Sequence, residues 1–210
     1  MDGRRREQDA GVWRPGVVRA RILLGTGAGA DMTTVSFSWI FVVVLLQRLF
    51  EMQVSRRNRN ALTPLGAKEF HPESFRNIAV LHGAYLLSLF VESYPWRLPL
   101  DARTILCLVA VACLGGMRLW CMASLTPYWN VRIIVVPGGQ VKRSGPYRFL
   151  RHPNYLVVVL EFLFLPLLMR APVTLVVFSL ANLALLRQRI RLEEKALREL
   201  TDYEKVFSVR

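Results

Sequence analysis

The stretch SGPYRFLRHPNYLVVVLE, residues 144–161, sets an Arg-His-Pro-Asn-Tyr group directly against an aliphatic run that ends in a lone carboxylate, Glu161. His152, Tyr155 and Glu161 are the side chains there that can do polar chemistry. Continued as a helix, the run carries Glu161 about 12 Å beyond Pro153, at 1.5 Å per residue. A carboxylate at that depth must be paired or protonated. It therefore has either a buried partner or a cavity to line. A second polar pair lies in LLRQRIRLEEKALREL, where Arg189 and Glu193 are four residues apart and share a helix face. On an open surface they would form an ordinary ion pair. Their helix, however, emerges from an apolar segment on the same side as the Arg-His-Pro loop, so the two polar segments can close over one pocket.

Long apolar segments must position these residues. About 20 apolar residues span a bilayer as a helix, and five such segments are expected. They are 34–53, 76–93, 103–125, 153–169, and 172–186 running on as a charged helix to about 200. The fourth and fifth are separated only by Arg170-Ala171, with Pro166 and Pro172 close by, which predicts a helical hairpin. No long stretch alternates at period two, so a barrel is not expected. Ionisable groups inside such segments face a polar cavity or one another. Here they are Arg48, Glu51, His82, Glu92, Arg118 and Glu161. Arg48 and Glu51, three residues apart, read as a helical ion pair near the cytoplasmic end. His82 either bonds the backbone of a neighbouring helix or serves the site.

Composition agrees with a membrane protein. The 210 residues suggest one domain; 53% are hydrophobic, and yet the formal net charge is +13. Such a balance suits either a nucleic-acid binder or a membrane protein with basic loops. No basic stripe is interleaved with stacking aromatics, which argues against nucleic acid. Cys107, Cys113 and Cys121 lie in one apolar stretch without CxxC spacing or a nearby histidine. They read as small core residues, with no metal site implied.

Arginine and lysine collect in the loop after the first segment, in the loop after the third and in the tail, while the second and fourth loops hold few. The positive-inside rule then places loops one and three and the C-terminus in the cytoplasm. Residues 1–31, with six arginines, would lie on the wrong side for that charge. They read as a disordered N-terminal extension, with the functional domain at 32–210. LLGTGAGAD (23–31) imitates a nucleotide-binding glycine loop but is followed by a membrane segment rather than the helix of a Rossmann unit.

GPYRFLRHPNY, then a hydrophobic hairpin, then RIRLEE-x-x-L, resembles the isoprenylcysteine carboxyl methyltransferases. The stretches RLFEMQVSRRN and WNVRIIVVPGG and the His82 region are similar to a bacterial branch associated with O-methylation of lipidic polyketides such as alkylresorcinols and alkylpyrones. The resemblance covers about residues 34–200. It implies an all-α integral membrane enzyme of about five transmembrane helices, with a cytoplasmic-side cofactor pocket and a C-terminal amphipathic helix. It implies S-adenosylmethionine as cofactor, without a Rossmann domain. Its cofactor contacts fall on Tyr147, His152, Pro153, Asn154, Tyr155 and Glu193, and by offset on Gln140, Val141 and Lys142. Arg189 matches the arginine thought to meet the substrate. Two departures stand out: Leu156 replaces the usual glycine, and the tail reads Leu200-Thr201-Asp202-Tyr203 in place of Phe-Gly and spaced tyrosines.

Methyl transfer asks the enzyme mainly for proximity, orientation and a dry site. Pro153 suits the first helical position, and a helix start offers free backbone N–H groups to an anion such as the cofactor's carboxylate. His152 adds a donor, Tyr147 and Tyr155 can pack on adenine or ribose, Glu193 can accept from cofactor hydroxyl or amino groups, and Arg189 can orient an anionic oxygen. The acceptor is expected to be a lipophilic small molecule or a prenylated group entering from the bilayer. A carboxylate acceptor needs no base; a polyketide hydroxyl can need one, for which Glu161, Glu51 and His82 are candidates. The departures favour the hydroxyl. The alternatives are an NADPH-dependent reductase of the membrane sterol type, with a similar C-terminal helical region, and a non-catalytic membrane scaffold.

Overall fold

The computed structural model describes residues 34–207. The expectations for residues 1–31 and for the glycine-rich stretch lie outside the described residues. Five helices carry the fold: α1 (Trp39–Leu62), α2 (Pro72–Glu92), α3 (Ala102–Leu125), α4 (Pro153–Leu168) and α5 (Pro172–Leu200). A short α6 (Tyr203–Phe207) follows. α2, α3 and α5 are long and apolar enough to cross a membrane. α4 is apolar but has 16 residues, roughly 24 Å of helix against a hydrocarbon core of about 30 Å. α1 is long enough, but Arg48 and Glu51 interrupt its apolar run.

The expected segments 34–53 and 76–93 are displaced at their ends. Thr34–Ser36 forms strand β1, paired antiparallel with β3 (Arg97–Pro99), so α1 starts only at Trp39 and runs on to Leu62. α2 starts earlier, at Pro72, a residue pre-set for the first helical turn. β2 (Lys68–Phe70) pairs antiparallel with β4 (Ile133–Val135), Phe70 facing Ile133 and Lys68 facing Val135. These three-residue ladders add small β elements to the expected all-helical architecture.

Each helix buries one stripe. On α1 it is Ile40, Val44, Glu51, Ser55, Asn58 and Leu62, recurring at three and four residues, so the helix is apolar at its start and polar towards its end. The outward faces carry exposed aliphatics such as Leu46, Val80, Leu87, Leu106 and Leu180. α4 packs between α3 and α5, and α2 packs on α5. The Tyr85 ring stacks on Phe162 at 4.1 Å near the middle of the core. At one end Glu92 accepts from Val173 N (2.8 Å), Thr174 N (2.7 Å) and Thr174 Oγ1 (2.6 Å), so a side chain of α2 caps α5.

The in-membrane charges find one another. Arg48 and Glu51 form the expected i,i+3 pair at 2.9 Å, and the network then crosses helices. Arg118 donates to Glu161 through Nε (3.0 Å) and Nη2 (2.6 Å) and lies 3.3 Å from Glu51. Arg48 also donates to Glu161. Two arginines thus balance two glutamates, joining α1, α3 and α4. His82 bonds Ile78 O of its own helix at 2.9 Å rather than a neighbouring backbone. Among the cysteines, Cys107 and Cys121 are buried, but Cys113 is exposed, because it falls on the outward face of α3.

Candidate functional site

A cleft with an empty volume of about 1040 Å³, partly open to solvent, lies where β4, the loop before α4, the start of α4 and the tail of α5 converge. Gln140, Val141, Lys142, Tyr147, His152, Asn154, Tyr155 and Glu193 all line it. Pro153 is buried behind this wall, where it opens α4. The start of α4 is less rich in free donors than expected. Pro153 has no N–H, and Tyr155 N and Leu156 N both donate to His152 O, at 3.1 and 3.2 Å. Asn154 is left with the first free backbone N–H of the helix.

Arg189 is buried in the same wall. It does not pair directly with Glu193. Its Nε donates to the Tyr155 hydroxyl at 2.9 Å, and that hydroxyl donates to Glu193. Arg189 Nη2 donates to Val131 O at 2.6 Å. Instead of the ordinary ion pair that the four-residue spacing would give on an open surface, a relay forms, because Tyr155, from α4, inserts between two residues one turn apart on α5. The His152 ring stacks on Tyr155, with centroids 5.5 Å apart, and its Nε2 lies 3.0 Å from Glu194 Oε1.

Several residues outside the expected set hold this arrangement. Ser55 Oγ accepts from Val131 N (3.2 Å) and bonds Asn130 Oδ1 (2.9 Å), and Asn58 Nδ2 donates to Trp129 O (2.7 Å). The polar end of α1 therefore pins the 129–131 loop, whose Val131 carbonyl in turn holds Arg189. Asp202 accepts from Val141 N at 2.7 Å, tying the Gln140–Lys142 segment to the tail. Lys142 Nζ donates to Thr126 O at 2.7 Å and sits over the Tyr128 ring. Glu194 accepts from Tyr203 Oη (3.1 Å) and Arg198 Nη2 (3.0 Å). The signal for Ser55 and Asn58 was their place on the buried stripe of α1; nothing in the sequence marked Glu194 or Tyr203.

The local electrostatics follow. Burial, and then the bonded Glu194 carboxylate, push the Tyr203 hydroxyl up to about 12. Burial works to raise the Glu194 carboxyl, but the bonds from His152 and Tyr203 outweigh it and hold it below the ordinary glutamate value. Burial, with Cys121 and Glu193 nearby, raises the Tyr147 hydroxyl well above its ordinary range. Both tyrosines are therefore neutral donors at neutral pH.

The cleft has the polarity that a small polar molecule needs. Among the described residues, Asn154 Oδ1, Asn130 Nδ2 and Trp129 Nε1, all on cleft residues, are buried side-chain atoms without a hydrogen-bond partner, as is Arg189 Nη1 beside them. Such atoms are costly unless something satisfies them. One acceptor and three donors around a half-open cleft suit a ligand that carries hydroxyl, amino and carboxylate groups. Glu161, by contrast, does not reach the cleft. It sits in the arginine–glutamate network, as does Glu51, and His82 lies beside Phe162 in the core.

Residues 104–199 match the model of the isoprenylcysteine carboxyl methyltransferase family. The chain is 38% identical over 162 residues to the uncharacterized protein YpbQ of Bacillus subtilis (strain 168), a stretch covering 77% of this chain and 96% of that protein. It is 26% identical over 161 residues to an uncharacterized protein of Haemophilus influenzae, covering 76% and 94% respectively. No solved structure matches. With its apolar helices and this cleft, the chain belongs to the isoprenylcysteine carboxyl methyltransferase family and is an integral membrane protein.

Proposed function

We propose that the protein is an S-adenosylmethionine-dependent membrane O-methyltransferase acting on a lipophilic acceptor. One observation carries this reading: all the residues named for the cofactor except Pro153 line a single cleft, and four buried polar atoms in and beside it lack partners among the described residues. Bound there, S-adenosylmethionine would supply an electrophilic methyl group on a sulfonium centre. Asn154 N–H, at the start of α4, offers a donor to its carboxylate, and His152, whose Nε2–H goes to Glu194, lines the same edge of the cleft. Tyr147 and the 129–130 loop flank the space for adenine and ribose, and Glu193 accepts from hydroxyl or amino groups. The Gln140–Lys142 segment closes one side, held by Asp202.

Arg189 orients the acceptor oxygen. Its Nε and Nη2 are fixed by Tyr155 and Val131, while Nη1 is without a partner. None of Glu161, Glu51 and His82 lies at the cleft, so none serves as a base. The acceptor is then an oxygen that is already ionised or readily becomes so: a carboxylate, or an acidic hydroxyl of the lipidic polyketide type. A positively charged guanidinium favours the anionic form of either.

The membrane reading has five spans. The charges of α1 face inwards to Arg118 and Glu161, while its outward face presents Val42, Leu46 and Leu49, so the helix can cross lipid despite Arg48 and Glu51. Loops one and three and the tail then lie in the cytoplasm, where the cofactor is.

Mass spectrometry tests the acceptor. Membrane lipids from cells lacking the gene are incubated with the purified protein and methyl-labelled S-adenosylmethionine. The reading predicts a lipid that gains a single methyl group on oxygen; a label that stays entirely in the cofactor under all lipid fractions contradicts it.

A further inference from the structure

Beside the cofactor cleft lies a second hollow, with an empty volume of about 600 Å³, lined by Arg143, Tyr147, Arg148, Phe149, Leu150, Arg151 and Phe207. Three of its seven lining residues are arginines, and none is acidic. Among the described residues, none of Arg143, Arg148 and Arg151 forms a salt bridge, although other arginines on this chain do. Arg143 and Arg151 both lie over the Phe207 ring, each with its guanidinium carbon 5.4 Å from the ring centroid. Arg143 reaches the carbonyls of Val206 (3.4 Å) and Arg148 (3.5 Å), which holds the rim together. Guanidinium groups gathered without counter-charge repel one another unless an anion joins them.

The neighbours of these arginines say which anion. Phe149 is 71% exposed and Leu150 44% exposed, directly between Arg148 and Arg151. Two residues beyond, the apolar helix α4 begins, with Leu156 also on an exposed face. Exposed aromatic and aliphatic side chains alternating with arginines at the mouth of an apolar helix fit the level where headgroups meet acyl chains. A soluble anion would need only the charges; the uncovered Phe149 and Leu150 would then lie in water at a cost.

We propose that Arg143, Arg148 and Arg151 bind the phosphate of an anionic phospholipid headgroup, with its acyl chains lying along Phe149, Leu150 and Leu156. A guanidinium binds a phosphodiester through paired N–H donors, and three around one hollow can share its oxygens. The site is separate from the cleft but shares the Tyr147, Arg151 and Phe207 wall with it. A bound headgroup therefore orders the outer wall of the cleft and holds the methyltransferase domain at one depth in the membrane.

The test uses the purified full chain in mild detergent, titrated with short-chain phosphatidylglycerol and followed by native mass spectrometry. Arg143→Gln/Arg148→Gln should weaken binding about tenfold or more. Arg56→Gln/Arg57→Gln, which removes equal charge from an exposed turn of α1, should leave it within about twofold. Phosphatidylcholine should bind weakly, and excess inorganic phosphate should not displace phosphatidylglycerol. Equal weakening by the two double variants would reduce the site to general charge attraction and overturn the proposal. Displacement by inorganic phosphate would make it a soluble-anion site and overturn the lipid. Should the double variant not fold, Arg148→Gln alone gives the same reading, because that side chain has no hydrogen bond among the described residues.

Discussion

Arg189 and Glu193 stand one turn apart on α5, and what joins them is the hydroxyl of Tyr155 from another helix. In the proposed roles, Tyr155 couples the residue assigned to the acceptor with the residue assigned to the cofactor. Tyr155→Phe keeps the ring stacked on His152 and deletes only the hydroxyl. The buried Arg189 Nε and the half-buried Glu193 are then left without that partner, a loss of about 1.5–3 kcal/mol for a bond to a charged group. We expect S-adenosylmethionine to bind roughly ten- to a hundredfold more weakly by calorimetry. A change below about twofold would mean that Glu193 is positioned by something else.

The arginine–glutamate network predicts a different kind of loss. Glu161→Gln or Glu161→Ala leaves Arg118, which is 2% exposed, without its main counter-charge. Breaking one member of a buried pair costs about 3–5 kcal/mol, so the thermal midpoint in detergent should fall sharply. Arg118→Met/Glu161→Leu, which removes a charge of each sign, should recover part of that loss. Turnover per folded molecule should change little. Loss of turnover at full stability would instead make Glu161 a catalytic base.

Glu194 and Tyr203 latch α6 against the cleft, and their titrations define its pH window. The Glu194 carboxyl is lowered from 4.5 in the folded protein, so its contribution is present above that value and is lost as pH falls through the lowered one. The Tyr203 hydroxyl is raised from 10.0 to about 12, so its contribution is full below 10.0 and is lost as pH rises through about 12. Hydrogen-exchange protection of residues 200–207 should therefore be flat between these limits and fall outside them. Glu194→Gln should abolish the acid-side fall.

The 129–131 loop offers a prediction away from the cleft's own side chains. Asn58→Ala and Ser55→Ala remove the bonds by which α1 holds Trp129 O and Val131 N. The first leaves the buried Trp129 carbonyl and the second the part-buried Val131 N–H without that partner, worth up to about 1–3 kcal/mol each. Because Val131 O holds Arg189, turnover should fall more than cofactor affinity, by roughly tenfold for Ser55→Ala. Equal losses in both would place the loop on the cofactor side alone.

The helices were legible because length and apolarity are properties of a single segment. α4 and its hairpin with α5 came out within one residue of the expected 153–169 and 172–200. The Arg48–Glu51 pair was legible for the same reason, since both partners lie on one turn. Its continuation to Arg118 and Glu161 spans 67 and 113 positions, and no local pattern encodes it. The cleft residues came from a motif, not from periodicity. Ser55, Asn58, Asp202 and Glu194 carried no such mark, because they act on backbone groups or on histidine and tyrosine supplied by distant segments. Residues 34–36 were absorbed into a helix because their pairing with 97–99 is non-local.

The central claim is that this cleft binds S-adenosylmethionine through His152 and Glu193. Isothermal titration of the purified protein in detergent addresses it directly, with NADPH as the competing ligand and His152→Ala and Glu193→Ala as variants. The account predicts saturable binding of S-adenosylmethionine, no heat with NADPH, and loss of binding in both variants while Arg189→Ala still binds but turns over poorly. Binding of NADPH in place of S-adenosylmethionine, or undiminished S-adenosylmethionine binding in both His152→Ala and Glu193→Ala, would contradict it.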